Sequence, residues 1–296
     1  MRSRDVPASV DSASEQAFSL LADETRLAIL RTLADAPRDP LTFSQLRERV
    51  GVADSGRFNY HLGKLTDNFV KKSEAGYELR LAGWNIVGAI LAGAYTRGDD
   101  IGPIPLDHPC PTCDGLVEAT YEDERVHIRC TDCDKTMLDA GIPPGVLEDY
   151  DDAALPEVAD RYVRSLFSQA RDGFCVSCQG RLESRLETDT DELHPDVVCD
   201  EPQAVYSCTR CREELIAGVG MAYLDHPAVV SFYYDHDVDL SQPNLWGTAW
   251  HDKPTLTVVS DDPLRARVDF EVDGDTLSLV IDDTLDVHDV ARSPAP

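Results

Sequence analysis

The sequence predicts an α+β multidomain protein, and three observations carry that expectation. Eight of the nine cysteines fall in four Cys-x-x-Cys pairs. Residues 12–80 show helical apolar spacing punctuated by capping signals and end on a short basic hairpin. Residues 264–281 alternate apolar and charged side chains around an Asp-Gly turn. In chain order these give an N-terminal winged helix-turn-helix, two zinc-ribbon β modules and a small C-terminal α+β antiparallel sheet. The expected boundaries are a disordered tail over 1–11, the winged helix-turn-helix over 12–100, ribbon 1 over 106–145 and a connecting helix within 146–172. Ribbon 2 then spans 173–216, an α+β region of unreadable role 217–290, and a disordered tail 291–296.

In the first module, Ser12-Ala-Ser-Glu15 fits a capping box and opens a helix from about Ala13 to Ala22. Asp23 caps a second helix whose Leu27, Leu30, Leu33 and Ala34 form a core stripe, and Pro37 and Pro40 end it. Thr42-Phe-Ser-Gln45 is a second capping box, for a short helix through Leu46 to Val50, and Gly51 stands where a C-cap glycine belongs. Asp54 or Ser55 caps the next helix, which completes a helix-turn-helix. There Phe58, Leu62 and Leu65 face the core, leaving Arg57, Asn59, Tyr60 and Lys64 on the opposite face. Arg and Lys reach guanine or phosphate, Asn pairs with adenine, and Tyr donates to phosphate, so that face suits the major groove. Phe69 to Lys72, a turn at Ser73 to Gly76 and Tyr77 to Arg80 form a basic hairpin, which is a wing. Candidate contacts with double-stranded DNA are thus Ser55, Arg57, Asn59, Tyr60, Lys64, Lys71 and Lys72.

The stretch Leu20 to Ile90 resembles the ArsR-like winged-helix family, through Leu21-Ala-Asp-Glu-Thr-Arg-Leu-Ala-Ile-Leu30 and Tyr60-His-Leu-Gly-Lys-Leu65. Asp54-Ser-Gly-Arg-Phe-Asn-Tyr-His-Leu62 is similar to haloarchaeal regulators of this group. The resemblance implies a DNA-binding regulator that works as a homodimer, with the apolar segment Leu81 to Tyr95 joining the first helix at the interface. That segment alone reads as a buried helix, too short to span a bilayer. Metal-sensing members of the family carry paired cysteines in the helix before the recognition helix. Here that helix is Phe43-Ser-Gln-Leu-Arg-Glu-Arg-Val50, so no sensing is expected there. His61 reads as a packing or capping histidine.

Cys110/Cys113 and Cys130/Cys133 are separated by 16 residues, and Cys175/Cys178 and Cys208/Cys211 by 29. Two cysteines three apart on a tight turn aim both sulfurs at one metal, and two such turns complete a thiolate tetrahedron. Competing readings are weaker: disulfides are disfavoured in a cytosol, and a thioredoxin-like site needs a single motif at a helix start. Hairpin knuckles favour zinc over an iron–sulfur cluster, and four thiolates leave a catalytic zinc no open position. Two structural Zn²⁺ ions are therefore expected. Cys110-Pro-Thr-Cys-Asp-Gly115 and Cys175-Val-Ser-Cys-Gln-Gly180 each end in a glycine expected to take positive φ. Leu116 to Tyr121 and Arg125 to Cys130 form a hairpin about Glu122-Asp-Glu124, while Arg181 to Glu187 and Ala204 to Cys208 pair around an acidic loop. Cys199 reads as a small buried residue, and His108, His127 and His194 are not needed as ligands. Between the ribbons, Leu155, Val158, Tyr162, Leu166 and Gln169 mark a helix over Ala153 to Ala170.

Towards the C-terminus, Pro227 opens a short helix. Leu264 to Val272, the Asp273-Gly274 turn and Leu277 to Ile281 form a type I′ hairpin, in a meander with Leu245 to Trp250 and Thr255 to Val259. Composition bounds the rest. The net charge is −28, with 38 Asp, 17 Glu, 22 Arg and 5 Lys, the pattern of a salt-accumulating halophile. Residues 41–80 nevertheless carry a net of +2, and the first 80 residues sum to zero. With no apolar run of 18 residues and no signal peptide, a cytoplasmic protein without membrane contact is expected. No nucleophile, base and orienter converge, so no enzyme is expected. The favoured function is a sequence-specific transcription regulator; the alternative is a basal-type factor or scaffold whose partner is RNA polymerase or another protein.

Overall fold

The structure is a computed structural model and describes residues 12–188, 202–241 and 254–294. The tail 1–11, His194, Cys199, the strand expected at Leu245 to Trp250 and residues 295–296 lie outside the described residues. The chain is mixed α+β and divides into two compact units, Met1–Arg97 with Pro143–Gly145, and Gly98–Ile142 with Val146–Pro296. Among the described residues, no helix is long and apolar enough to cross a membrane.

The first unit contains α1 (Ser12–Leu21), α2 (Glu24–Ala34), α3 (Phe43–Val50), α4 (Ser55–Leu65), the hairpin β1 (Val70–Lys72) and β2 (Tyr77–Leu79), and α5 (Leu81–Leu91). Its helix ends are fixed locally. The Asp23 carboxylate accepts from Arg26 N at 3.1 Å, and Thr42 and Gln45 exchange both bonds of a capping box. Gly51 ends α3 at φ 78°, and one Asp54 oxygen accepts from Gly56 N and Arg57 N at 2.7 and 2.9 Å. Such caps contribute about 1 kcal/mol each. The apolar face of α2 is centred on Ile29, Leu30 and Leu33, with Leu27 only half-buried, and it packs on Leu46, Phe58, Leu62 and Leu65. The hairpin pairs Lys71 with Glu78, and Leu41 adds a rung through two hydrogen bonds with Tyr77 at 3.0 and 2.9 Å.

Helix α5 differs from the expected buried helix. Only Gly83 and Val87 are buried, while Leu81 and Leu91 are 76% and 67% exposed. The helix is apolar but for Asn85, and its own unit covers one narrow face, where a Cβ on Gly83 would meet the Phe69 carbonyl oxygen at 2.5 Å.

The second unit holds three sheets. The first is antiparallel, in the order β3 (Ile101–Pro105), β4 (Val117–Glu122), β5 (Arg125–Cys130), β6 (Thr136–Gly141). Its central turn is two residues rather than three: Glu122 pairs with Arg125, and Asp123 and Glu124 both take positive φ. Helix α6 (Leu155–Arg171) follows. Its Leu155, Val158 and Ala159 join the core of this sheet with Tyr121, Val126 and Ile128. Its Val163, Phe167 and Ala170 lie in another core, with Tyr206, Phe232 and Phe270. The buried stripe thus runs through Val163 and Phe167, leaving Tyr162, Leu166 and Gln169 at its half-buried margins.

That other core is shared by the second sheet, β7 (Leu182–Glu187), β8 (Gln203–Cys208) and β9 (Glu214–Gly218), by α7 (Pro227–Asp235), and by the third sheet. The third sheet is the meander β10 (Thr255–Asp261), β11 (Leu264–Val272), β12 (Asp275–Asp282), β13 (Val287–Ser293), with the Asp273-Gly274 turn in place. A backbone bond joins the two, Leu186 N donating to Asp283 O at 2.8 Å, and the side-chain hydroxyl of Tyr223, in the turn of helix after β9, donates to Leu285 O at 2.9 Å. The stretch from Ala291, expected as a disordered tail, is instead the end of β13 through Ser293, paired with β12. Arg292 holds it there, donating to Asp235 and Ser231 of α7 at 2.7 Å each.

The hairpin of the first unit depends on one residue that has no alternative. Gly76 sits at φ 141°, and a Cβ on it would lie 2.5 Å from the Leu41 carbonyl oxygen. Gly76→Ala is expected to destabilise this unit by about 1–3 kcal/mol. A thermal melt with an unchanged midpoint would contradict the placement of the Leu41 rung.

Candidate metal centres and nucleic-acid face

The eight paired cysteines gather into two groups, Cys110, Cys113, Cys130, Cys133 and Cys175, Cys178, Cys208, Cys211, in each of which the sulfurs lie within 4.8 Å of one another. The register explains why. Val117 pairs with Cys130 and Leu182 with Cys208, so each second knuckle is the continuation of a strand whose partner begins just after the first knuckle. Neighbouring sulfurs stand 3.8 and 3.5 Å apart in the first group, and 3.6 and 3.5 Å in the second. A disulfide requires about 2.05 Å. Metal–sulfur bonds of about 2.3 Å in a tetrahedron give edges of about 3.8 Å, which is the observed scale. The donor set suits zinc, and with four sulfurs the shell is closed. His108 and His127 belong to neither group.

The backbone of each turn serves the sulfurs. Thr112 N and Asp132 N point to Cys110 and Cys130 at 3.4 Å, and Ser177 N and Arg210 N to Cys175 and Cys208 at 3.4 and 3.3 Å. The residue after each second cysteine is left-handed: Asp114, Asp134, Gln179 and Arg212, at φ 57–68°. This corrects the expectation for Gly115 and Gly180, neither of which takes positive φ. They are glycine because a Cβ there would crowd the facing knuckle, at 2.6 Å from Asp132 Oδ2 in the first group and at 3.1 Å from Arg210 Cβ and 3.2 Å from Cys208 Sγ in the second.

The thiols do not ionise alike. Burial opposes ionisation at Cys110, yet the N–H groups of Thr112 and Cys113 bring it down to about 7. At Cys208 the Cys211 N–H outweighs burial and, with Arg210 N–H, brings it down to about 6. The Gly115 amide favours the Cys113 thiolate, but the neighbouring sulfurs of Cys133 and Cys130 hold that thiol up to about 12. The Glu213 amide is likewise overcome at Cys211, by burial and its sulfur neighbours, again to about 12. Four thiolates this close repel, and a divalent cation is what allows all of them to lose their protons.

The expected DNA-contacting residues lie on two elements of the first unit, α4 and β1. Ser55, Arg57, Asn59, Tyr60 and Lys64 are all exposed on α4, whose other face is sealed by Phe58, Leu62 and Leu65. Lys64 Nζ stands 5.5 Å from the Tyr60 ring centre. Lys71 and Lys72 are exposed on β1, Lys71 paired with Glu78 at 3.0 Å and Lys72 over the Tyr77 ring. His61 is buried, its Nδ1 3.3 Å from the Asp23 carboxylate, which suits packing between α2 and α4.

Chemical analysis of the purified chain is expected to return about two divalent ions, and chelation to unfold residues 106–216 and loosen the sheet that shares their core. Hydrogen exchange with and without chelator reads this directly. A metal-free chain with both clusters protected would reject it.

No curated protein and no solved structure matches the chain. A model described as "Domain of unknown function (DUF7347)" matches residues 14–90, the helices α1 to α5. A second, described as "Domain of unknown function (DUF7351)", matches residues 107–287, which include both tetracysteine groups. That match covers more than half of the chain, and the protein is a member of the DUF7351 family.

Proposed function

We propose that this protein is a sequence-specific transcription regulator that binds double-stranded DNA through an N-terminal winged helix-turn-helix and carries two structural zinc ribbons. The observation that carries the reading is α4. A capped helix follows a glycine-ended turn, its inner face buries Phe58, Leu62 and Leu65 beside His61, and its outer face offers Arg57, Asn59, Tyr60 and Lys64 to solvent. Those are the side chains that read base edges and hold phosphates. The hairpin β1–β2, with Lys71 and Lys72, supplies a wing beside it. The charge partition supports the same reading, since the segment 41–80 keeps a net of +2 in a chain of −28. Zinc fits the two closed thiolate shells better than oxygen-loving ions do.

Homodimer formation is supported by α1 and α5. Phe18 on α1, Leu81 and Leu91 on α5 and Tyr95 just after it are each at least 63% exposed, side chains that a second copy would cover. Two recognition helices would then read two half-sites.

Arg57→Ala or Asn59→Ala is expected to cost about 1–3 kcal/mol of specific affinity and to relax the preferred sequence, whereas Lys71→Ala or Lys72→Ala weakens all duplexes alike. A selection experiment in which Arg57→Ala leaves sequence preference intact would remove α4 from the groove. Salt provides a second test. At about 0.01 M salt the screening length is about 30 Å and the acidic remainder of the chain repels DNA; at about 1 M it is about 3 Å and the repulsion is gone. Operator affinity is therefore expected to depend weakly, or inversely, on potassium chloride. A steep monotonic fall would mean that ordinary phosphate neutralisation dominates.

A further inference from the structure

The two ribbons offer a comparison internal to the chain. Cys130-Thr-Asp-Cys-Asp134 and Cys208-Thr-Arg-Cys-Arg212 share their spacing, their threonine, their amide-to-sulfur bonds at 3.4 and 3.3 Å and their left-handed last residue at φ 57° and 68°. The threonine amides also match, donating to Leu116 O at 2.9 Å in one ribbon and to Arg181 O at 3.1 Å in the other. On this common frame the side chains diverge. Asp132 and Asp134 of the first ribbon correspond to Arg210 and Arg212 of the second, Leu116 to Arg181, and Pro109 to Phe174. The metal turn does not require the arginines, because the first ribbon makes the same turn with aspartates.

The substituted positions lie in or beside the two turns of the second cluster: Phe174 and Arg181 flank the first turn, and Arg210 and Arg212 belong to the second. Arg181, Arg210 and Arg212 are exposed and have no ion-pair partner among the described residues, whereas Arg164, Arg171 and Arg185 of the same unit are paired. Arg210 makes only a long bond, 3.5 Å, to the Cys178 carbonyl. Phe174, 53% exposed, lies directly opposite Arg181 in an antiparallel bridge, so the two side chains leave on the same face. On a carboxylate-rich surface, three exposed arginines without an ion-pair partner among the described residues, one of them directly opposite an exposed aromatic ring, are not a device for solubility.

We infer that the tip of the second ribbon binds a single-stranded polynucleotide, with Phe174 stacked on an unpaired base and Arg181, Arg210 and Arg212 on the flanking phosphates. A duplex offers the arginines phosphate but hides its base faces from the ring, and stacking beside a cationic groove is how single strands are held. This site is separate from α4 and stands whether or not that helix reads duplex DNA.

The test uses the full, metal-loaded chain and two labelled probes of about a dozen nucleotides, an oligothymidylate and an oligouridylate. Both are expected to bind, and the tighter one identifies DNA or RNA as the natural source. Replacing Arg210→Asp with Arg212→Asp gives the second knuckle the residues of the first; metal content should hold while affinity falls at least tenfold. Phe174→Ala should cost about tenfold, the scale of one lost stacking contact. Duplex affinity is measured beside the single-strand affinities in the same variants, so that loss of one without the other separates failure here from failure of the duplex reading. Unchanged binding in the double variant and in Phe174→Ala would overturn the inference, as would equal affinity for a duplex of the same length or for polyglutamate. If the double variant loses metal, Arg181→Ala, outside the metal turn, decides by the same criterion.

Discussion

The constraint on which the second unit depends is the mutual repulsion of four thiolates held within 4.8 Å. The backbone has already committed to that crowding: amides point at the sulfurs, four residues take left-handed φ, and two glycines clear room between the knuckles. Without a cation these choices leave two thiols held up to about 12, and with one they become a closed shell. Each cluster terminates a strand pair whose side chains enter a core, so the metal sites anchor register as well as loops. Helix α6 carries the consequence further, since one end is packed with the first cluster's sheet and the other with the second's.

Charge divides the chain by task. Acidic residues outnumber basic ones about two to one, and exposed basic side chains gather on the outer face of α4 with its hairpin and on the knuckles of the second ribbon. In both, cationic side chains are combined with an exposed ring, Tyr60 in one and Phe174 in the other. A highly acidic body screens badly at low salt and well at high salt, so contacts that survive must be short-ranged and geometrically specific. The first ribbon, with aspartates at the same turn positions, shows what the fold looks like where no such partner is expected.

Much of this was legible in the residues. The Thr42–Gln45 capping box, the Gly51 stop, the Asp54 cap and the cysteine pairs are local signals, set by bonds within a few positions, and each appears where the spacing places it. Long-range features were not legible. Helix α5 is apolar but for Asn85, and composition cannot say which side its own unit will cover. Strand β13 has weak alternation and is ordered by Arg292 reaching α7, some sixty residues earlier in the chain. Gly115 and Gly180 were assigned the wrong cause: glycine marks both positive φ and close approach, and only the facing knuckle distinguishes them. The arginines of the second ribbon passed unnoticed because their meaning lies in comparison with the first, which requires the two turns to share a geometry.

The most direct test of the central claim is X-ray absorption at the metal edge on the purified chain. Two closed tetrahedral sites predict a shell of four sulfurs at about 2.3 Å with no nitrogen or oxygen neighbour. A first shell containing light atoms, or fewer than four sulfurs per ion, would contradict the closed thiolate sites and reopen the possibility of a reactive metal.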